Sequence, residues 1–332
     1  MDRLLPVEIL NDVLAIALEN SSAVGSVLCV SSLFYALGGT ILHRKLRFYS
    51  VSQLLRFADS VSSSSTTRLA CEPQSIELDI AGGAASLGLF QALNAALITL
   101  VSDSQCKTDE EGRLLLETLR LRLNSLTLDN HQLIYTSLSK VNARSFVWTG
   151  PDPPHHFSTA IVAPAVFPLF TALASYTRLT HLHLTNIAFP DPIVTPDLSW
   201  SGIPCLPSVR VLYLGQATFL TAEHIADYLL RCIGHHHHLN PNSSSPSCSL
   251  ERLHLVDVYE ESIWGSRSKL PRILAAAGTK LLAQSPESES SQLDIVGILD
   301  SIAKIVSTDA KTERIMGGDR VIPERASAFS IL

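Results

Sequence analysis

Histidine clusters are the feature of this sequence that comes nearest to a chemical site. Residues 235–238 are four consecutive histidines, and neighbouring imidazoles can hold a transition metal loosely. A metal site needs ligands that converge from fixed positions, together with further residues that orient them. The four histidines lie instead within 234–249, a stretch rich in Ser, Pro and Asn. We therefore interpret them as part of a surface loop and predict no metal ligands.

Sequence motifs for catalysis are not found. The two Gly-Gly pairs, at 82–83 and 317–318, lack the spacing and the Lys of a phosphate-binding loop. The GxSxG and HExxH motifs are missing as well. We predict that the protein is not an enzyme, has no catalytic residues and takes no cofactor. An enzyme with dispersed catalytic residues stays open as an alternative, because catalytic triads assemble in space.

Other histidines alternate with leucines in short segments that have the pattern of β-strands. His181 and His183 flank Leu182, and successive side chains of a strand point to opposite faces of its sheet. If the leucines face the core, the side chains between them face solvent. We predict that five such residues form a target-binding face. These are His181, His183, Thr185, Tyr213 and His254.

The segment 110–130 contains the LxxLxLxxNxL pattern of leucine-rich repeats. In that pattern the LxL pair forms a core-facing strand, and the Asn side chain is expected to bond the backbone at the following turn. An overlapping frame fits nearly as well, so the register stays open. The first frame contains Leu116, Leu119, Leu121, Asn124 and Leu126, and the second contains Leu123, Leu126 and Leu128.

Weaker copies of the LxxLxL core recur later in the chain. Helical patterns fill the intervals, for example at 221–233, where Thr221 has the position of a helix cap. Alternating strands and helices imply parallel strands with the helices packed outside them. We predict an α/β fold, with 51–332 forming either an irregular leucine-rich-repeat-like solenoid or an α/β body with coincidental leucines. The copies lie at 179–184, 209–214 and 250–255, with a further strand-like segment at 144–148.

An amphipathic helix is predicted near the N-terminus. Pro6 suits the first turn of a helix, where its missing N–H would have no partner. Glu8 then lies close to the positive end of the helix dipole. Apolar residues recur at the i, i+3, i+4, i+7 spacing of one helix face. These residues are Ile9, Leu10, Val13, Leu14 and Ala17.

The residues after this helix extend the pattern. A short polar gap leads to Leu-Cys-Val at 28–30, then to an aromatic residue and to the basic exit LHRKLRFYS at 42–50. This order, which begins with LPxEIL, resembles the F-box as fungal proteins carry it, over roughly residues 3–50. Two features depart from that family. Leu33-Phe34 stand where a Trp or Arg-Phe is usual, and Gly38-Gly39 are expected to interrupt the third helix.

The resemblance implies an F-box-like helical domain at 1–50 and a leucine-rich, substrate-binding body at 51–332. It implies that the protein is the substrate-recognition subunit of an SCF-type cullin–RING ubiquitin ligase. Its partners would be the SCF adaptor subunit, the cullin and a target protein, and it would perform no bond chemistry itself. The residues expected to bind the adaptor are Leu5, Pro6, Glu8, Ile9, Leu10, Val13 and Leu14.

Two further interpretations stay open. The protein is a leucine-rich scaffold if its N-terminal helices only cap the solenoid, since repeat arrays need polar-faced caps. The uncharged run at 23–42 has the length of a membrane-spanning helix, and 81–101 nearly has it. Small and polar residues interrupt both runs, so we expect buried helices and no membrane partner.

Composition limits the class of partner. The 332-residue chain has a net charge of −6, so nothing in its charge balance attracts nucleic acid. Hydrophobic residues make up 46% of the chain and charged residues 17%, which favours packed structure over long disorder. The six cysteines show no metal-ligand spacing, a pattern typical of reducing compartments. We expect a cytoplasmic or nuclear protein.

Overall fold

An eight-stranded sheet dominates the structure, which is a computed structural model. The structure describes residues 5–20, 23–63, 69–80, 88–151, 159–191, 200, 202–237, 249–284, 289–315 and 318–321. Every neighbouring pair in this sheet is parallel, and the strands follow one another in chain order. The strands are β1 (Lys45–Phe48), β2 (Ser75–Asp79), β3 (Leu114–Arg122), β4 (Val141–Thr149), β5 (His181–Thr185), β6 (Val211–Gly215), β7 (Arg252–Val256) and β8 (Val306–Asp309).

Helices precede the sheet and connect most of its strands. Three helices come before β1, and the strand connections then contain one helix each, apart from β5 to β6, where none is described, and β7 to β8, which has two. The helices are α1 (Val7–Asn20), α2 (Val24–Leu28), α3 (Ser32–Arg44), α4 (Val51–Ser63), α5 (Leu89–Ser102), α6 (Gln132–Leu138), α7 (Ala163–Ala174), α8 (Ala222–His237), α9 (Leu270–Gln284) and α10 (Glu289–Ile305). A separate antiparallel pair follows, β9 (Thr312–Ile315) and β10 (Gly318–Val321).

Two rows of buried side chains cross the sheet and form the centre of the core. Each row takes one inward-facing residue from successive strands in register, because every second side chain of a strand faces the same side. Buried residues of the connecting helices pack into the same cluster. The first core row is Leu46, Ile76, Leu119, Phe146, Leu182, Leu212, Leu253 and Val306. The second core row is Phe48, Leu78, Leu121, Trp148, Leu184, Leu214 and Leu255.

A repeated turn ends three consecutive strands. The residue after β5, β6 and β7 has a left-handed backbone, with φ of 58° at Asn186, 47° at Gln216 and 53° at Asp257. Each of these residues donates its N–H to the carbonyl at the end of the next strand, for example Asn186 to Gly215 at 3.0 Å. Asn and Asp tolerate this backbone region better than other side chains that carry a Cβ. The hydrogen bonding between neighbouring strands therefore continues for one residue into the loops.

The first three helices form an N-terminal unit, residues 5–44, that leads directly into β1. Gly38 of α3 lies where a Cβ would come within 2.3 Å of Leu28 Cδ2 and 3.4 Å of Leu18 Cδ1. A glycine here lets α3 approach both α1 and α2 closely. At the junction with the sheet, Arg47 of β1 pairs with Glu19 of α1 at 2.8 Å and with Glu77 of β2 at 3.2 Å.

The predicted α/β class and parallel strands are confirmed. The segment 144–148 lies in β4, and the four LxL pairs lie in β3, β5, β6 and β7. The first frame of segment 110–130 has the right register, because Leu119 and Leu121 face the core. Leu128 of the second frame is 88% exposed.

Several local expectations were wrong. The side chain of Asn124 does not bond the turn backbone: its Oδ1 is buried without a hydrogen-bond partner in the described part of the chain. Gly38-Gly39 do not interrupt α3, since the helix runs through both. Helix α8 continues to His237, so the loop predicted at 234–249 begins later, and 238–248 lie outside the described residues. The strand β1 starts at Lys45, within the range predicted for the F-box-like unit, and the domain boundary at 50 stays a prediction.

The two uncharged runs belong to helices that are shorter than a bilayer. The run at 23–42 is divided between α2 and α3, and the described part of 81–101 belongs to α5 and the residue before it. Within the ranges that the structure describes, no helix combines the length and the apolar character needed to cross a membrane.

Candidate functional site

The open face of the sheet, opposite the two core rows, carries a line of side chains in strand register. In this open row the charged residues lie at the β1–β3 end, and imidazole, phenol and hydroxyl groups lie at the β5–β8 end. The side chains from β5 to β7 are half-buried. The open row is Arg47, Glu77, Arg120, Val147, His183, Tyr213, His254 and Ser307.

Three rings on adjacent strands form what we call the tyrosine shelf, made of His183, Tyr213 and His254. The rings of His183 and Tyr213 are stacked, with centroids 4.1 Å apart and planes 19° apart. The ring of His254 follows at 6.4 Å from that of Tyr213. Nδ1 of His254 is hydrogen-bonded to Oγ of Ser307, at 2.8 Å, which orients the third ring.

A glycine beside the shelf allows the tyrosine ring to lie along its own strand. A Cβ at Gly215 would come within 2.8 Å of Tyr213 Cε1 and 3.0 Å of Thr185 Cγ2. The absent side chain therefore leaves room for the phenol ring and brings Thr185 to the edge of the shelf. Any larger residue at 215 would push the ring away from the sheet.

The shelf is uncharged at neutral pH. Burial, together with the positive charges of Arg120 and Lys311, lowers the pKa of His183 to about 4. Burial also lowers the pKa of His254, where Arg252 acts in the same direction and Asp309 against it. Burial and the carboxylates of Asp257 and Asp309 raise the pKa of Tyr213 to about 12.

A charged cluster borders the shelf at the carboxyl ends of the strands. Asp257 is 1% exposed, pairs with Nη2 of Arg267 at 3.2 Å and accepts the backbone N–H of Lys311 at 3.1 Å. The ammonium of Lys311 lies 5.9 Å from the centroid of the Tyr213 ring, within cation–π range. Asp257 therefore fixes the chain after β8 so that a lysine lies against the shelf.

Four of the five residues predicted for target binding are brought together. His183, Tyr213 and His254 form the shelf, and Thr185 lies at its edge. His181 is separate: it is exposed in another row of the sheet, and its Nδ1 is 2.9 Å from Thr180 Oγ1. Whether any of these residues binds a target stays a prediction.

Sequence reasoning missed the charged neighbours of the shelf. Arg120 lies between the leucines of the best-fitting repeat, and its position was available from the same alternation that identified His183. Asp257 follows the LxL pair of β7 at the offset that Asn186 has after β5, so a comparison of the repeats could have found it. Lys311 follows β8, which has no LxL signal.

The second surface of interest is the exposed side of α1. Leu5 is 61% exposed, Ile9 49% and Val13 52%. These exposures leave all three side chains available to a partner. The other residues predicted to bind the adaptor differ in their exposure. Pro6 and Glu8 are exposed, and Leu10 is half-buried.

Leu14 does not belong to that surface. It is 1% exposed and lies in the interior of the N-terminal unit with Leu18, one helical turn further on. Its assignment to the adaptor-binding face is corrected: the apolar positions of α1 are divided between an inner side, which packs on the other helices, and an outer side. The helical periodicity did not reveal this division, because both sides of α1 are apolar.

Neither surface contains a cluster of metal ligands in the part of the chain that the structure describes. Among the residues that the structure describes, no group of three or more His, Cys, Asp or Glu side chains is placed to hold a metal ion. His183 is stacked on Tyr213 and the ring of His254 is tilted beside it, so the shelf offers an aromatic surface to a further ring.

Comparison with known proteins assigns no family to this chain. No family model matches it, and no curated protein matches it either. The function is therefore inferred from the residues and their geometry.

Proposed function

We propose that the protein is a substrate-recognition subunit of an SCF-type cullin–RING ubiquitin ligase. In this proposal the N-terminal unit binds the adaptor subunit, and the sheet body, an irregular leucine-rich-repeat-like solenoid, holds the target. The protein contributes proximity between the target and the recruited conjugating enzyme and performs no bond chemistry. A complex with a cytoplasmic or nuclear location accords with this role.

The observation that carries the proposal is the exposure of apolar residues in the N-terminal unit. Eight of the sixteen exposed large hydrophobic side chains in the described residues lie between positions 5 and 35. Such a concentration on one small unit marks an interaction surface, because exposed apolar patches are costly unless a partner covers them. The eight are Leu5, Val7, Ile9, Val13, Ile16, Val30, Leu33 and Tyr35.

The exposed helix matches the part of the F-box pattern that the sequence resembles most closely. The helix α1 starts at Val7, directly after Leu5-Pro6, and its outer side presents Ile9 and Val13. An amphipathic helix with apolar residues at this spacing can lie in a hydrophobic groove of a partner. The adaptor subunit is the partner that the resemblance implies.

Two features of the body support its description as a leucine-rich-repeat-like solenoid. Its strands pair in chain order and all run parallel, as repeats that contact only their neighbours would. A left-handed residue also recurs at the same place after β5, β6 and β7. A body of this kind presents its open row to a target along a continuous surface.

The adaptor proposal is tested with a purified adaptor–cullin complex immobilised on a biosensor. The full-length protein is compared with the double variant Ile9→Asp plus Val13→Asp, which changes exposed residues and leaves the buried Leu14 in place. We expect the double variant to bind at least tenfold more weakly. The matched control is Leu55→Asp plus Ile98→Asp, two exposed apolar residues of α4 and α5 that lie outside the N-terminal unit. The control is expected to bind as the wild type does.

A scaffold protein with a capping N-terminal unit is the second candidate. The direct passage from α3 into β1 and the ion pairs of Arg47 with Glu19 and Glu77 favour it, because they attach the helices to the first edge of the sheet. A cap, however, packs its apolar side inward, and Leu5, Ile9 and Val13 are exposed. Folded wild-type protein that does not bind the adaptor complex would leave the scaffold as the better interpretation.

A further inference from the structure

We propose that the open face of the sheet binds an acidic peptide segment that contains an aromatic residue. The aromatic side chain packs on the tyrosine shelf, and a carboxylate of the same segment pairs with Arg120. This inference rests on the proposed function, since it specifies the kind of target segment that the body would hold.

The shelf is suited to a flat apolar side chain. The stacked rings of His183 and Tyr213 turn their faces toward each other, so their edges form the outward surface, which the ring of His254 extends across the next strand. Ring edges pack well against the face of another aromatic ring. None of the three groups carries a charge at neutral pH, so a neutral ring can pack on them without removing water from an ion. Aromatic pairs contribute stabilisation beyond their buried area.

The charges along the open row favour an anionic segment. Arg47 pairs with Glu77 at 3.2 Å, whereas exposed Arg120 has no ion pair among the described residues. A guanidinium binds a carboxylate with two parallel hydrogen bonds. Lys311 and Arg252 add positive charge near the shelf. The attraction is local, because the chain as a whole has a net charge of −6.

Acidic groups on the same side limit where the carboxylate can bind. Glu77 is next to Arg120 in the open row, and its charge is compensated by the ion pair with Arg47. Asp257 is buried and engaged by Arg267, so its charge is compensated. Asp309 is the last residue of β8, and the strand that carries Tyr213 lies between β8 and the strand that carries Arg120. The acidic part of the segment therefore lies toward β3, and its aromatic part lies toward β6.

The spacing of the strands predicts the spacing of the two residues in the segment. Arg120 and Tyr213, the middle ring of the shelf, are in the same row three strands apart, which corresponds to roughly 14 Å at about 4.8 Å per strand. An extended peptide advances about 3.3 Å per residue. A segment that crosses the strands would thus carry its acidic residue about four positions from the aromatic one, an even spacing that places both side chains on the same face.

The test uses fluorescently labelled poly(Glu,Tyr), a random copolymer that samples many spacings of the two residue types. Binding to the full-length protein is measured by fluorescence anisotropy, with poly-Glu and poly(Lys,Tyr) as comparison probes. We expect poly(Glu,Tyr) to bind most tightly, poly-Glu at least fivefold more weakly, and poly(Lys,Tyr) most weakly. Raising the salt concentration should weaken the binding of poly(Glu,Tyr).

Two variants locate the binding site. Arg120→Glu and Tyr213→Ala should each weaken poly(Glu,Tyr) binding about tenfold or more. The matched control is Arg56→Glu, which reverses the charge of an exposed arginine on α4 and should leave poly(Glu,Tyr) binding unchanged. Because Arg120 is exposed, its variant is expected to fold, and circular dichroism checks this for every variant.

Three results would overturn the proposal: no binding of poly(Glu,Tyr) by folded wild type, equal or tighter binding of poly(Lys,Tyr), or equal loss in Arg120→Glu and Arg56→Glu. The adaptor-binding assay is run on the same variants, and each should bind the adaptor complex as wild type does. Failure of the peptide proposal is thereby separated from failure of the ligase proposal.

Discussion

The N-terminal unit and the sheet body place their apolar side chains in opposite ways. Among the described residues of the unit, the buried large apolar side chains are Leu14 and Leu18, while eight others are exposed. In the body, the two core rows continue from strand to strand and are buried throughout. The body is therefore closed by its own residues, whereas the unit leaves apolar surface uncovered.

The two regions acquire their stability in different ways. The body obtains it from burial of large side chains, at about 25 cal/mol per Å² of apolar area removed from water. The unit is held by a few contacts, including the close approach at Gly38 and the ion pairs of Arg47. A partner that covers the outer side of α1 would add the burial that the unit lacks.

Removal of the buried Trp148 ring should strongly destabilise the body. Trp148 is fully buried, donates its Nε1–H to the carbonyl of Leu123 at 3.1 Å and lies 5.6 Å from the ring of Phe90. We expect Trp148→Ala to reduce the free energy of unfolding by about 3 to 5 kcal/mol, measured by urea denaturation and circular dichroism. The comparison variant Ile9→Ala should change it by less than about 0.5 kcal/mol. A large loss in Ile9→Ala would mean that α1 is already covered.

The stability of the loops at the carboxyl ends of the strands should depend on the buried carboxylate of Asp257. Asp257→Asn removes the charge that binds Arg267 and weakens the bonds to the backbone N–H of Lys311. We expect a loss of about 3 kcal/mol in the free energy of unfolding, because the arginine loses a buried partner. Asp79→Asn is the control, since its ion pair with Arg122 is partly solvated and should contribute below about 1 kcal/mol. Similar losses of unfolding free energy in both variants would contradict the distinction between the buried and the partly solvated ion pair.

Lowering the pH should destabilise the body because of the buried imidazole of His183 in the shelf. The pKa of His183 is lowered to about 4 in the folded protein from 6.5, so between these values the unfolded chain binds more protons. Stability should therefore fall as the pH decreases from 6.5 toward 4, by about 2 kcal/mol for this residue. The melting temperature of His183→Gln should depend less on pH over that range. His181→Gln, at an exposed position in another row, should keep the wild-type dependence.

The smallest effect concerns two adjacent glycines of the N-terminal unit. A Cβ at Gly38 meets Leu28 at 2.3 Å, whereas a Cβ at Gly39 meets Ala70 at an ordinary 3.9 Å. Both Gly→Ala changes gain helix propensity, so their difference isolates packing. We expect Gly38→Ala to be less stable than Gly39→Ala by about 1 kcal/mol in urea denaturation. Equal stabilities would show that α3 is not held close to α1 and α2.

The sequence alone determined the class of fold and the faces of most strands. Alternation placed the leucines of β3, β5, β6 and β7 inward and His183, Tyr213 and His254 outward, because side-chain direction in a strand follows from covalent geometry. Thr221 also capped α8 as its residue type implied, accepting the N–H of His224 at 3.3 Å. These features are local, so a sequence pattern contains them.

The way the elements combine depends on long-range packing. The strand β8 has no LxL pair, and its pairing with β7 places Val306 in the first core row. Leu14 and Val13 have similar hydrophobicity, yet the fold buries Leu14 and leaves Val13 exposed. Arg120 became part of a site only through its register with His183, two strands away. Contacts between residues distant in sequence depend on register and helix packing, which no local pattern encodes.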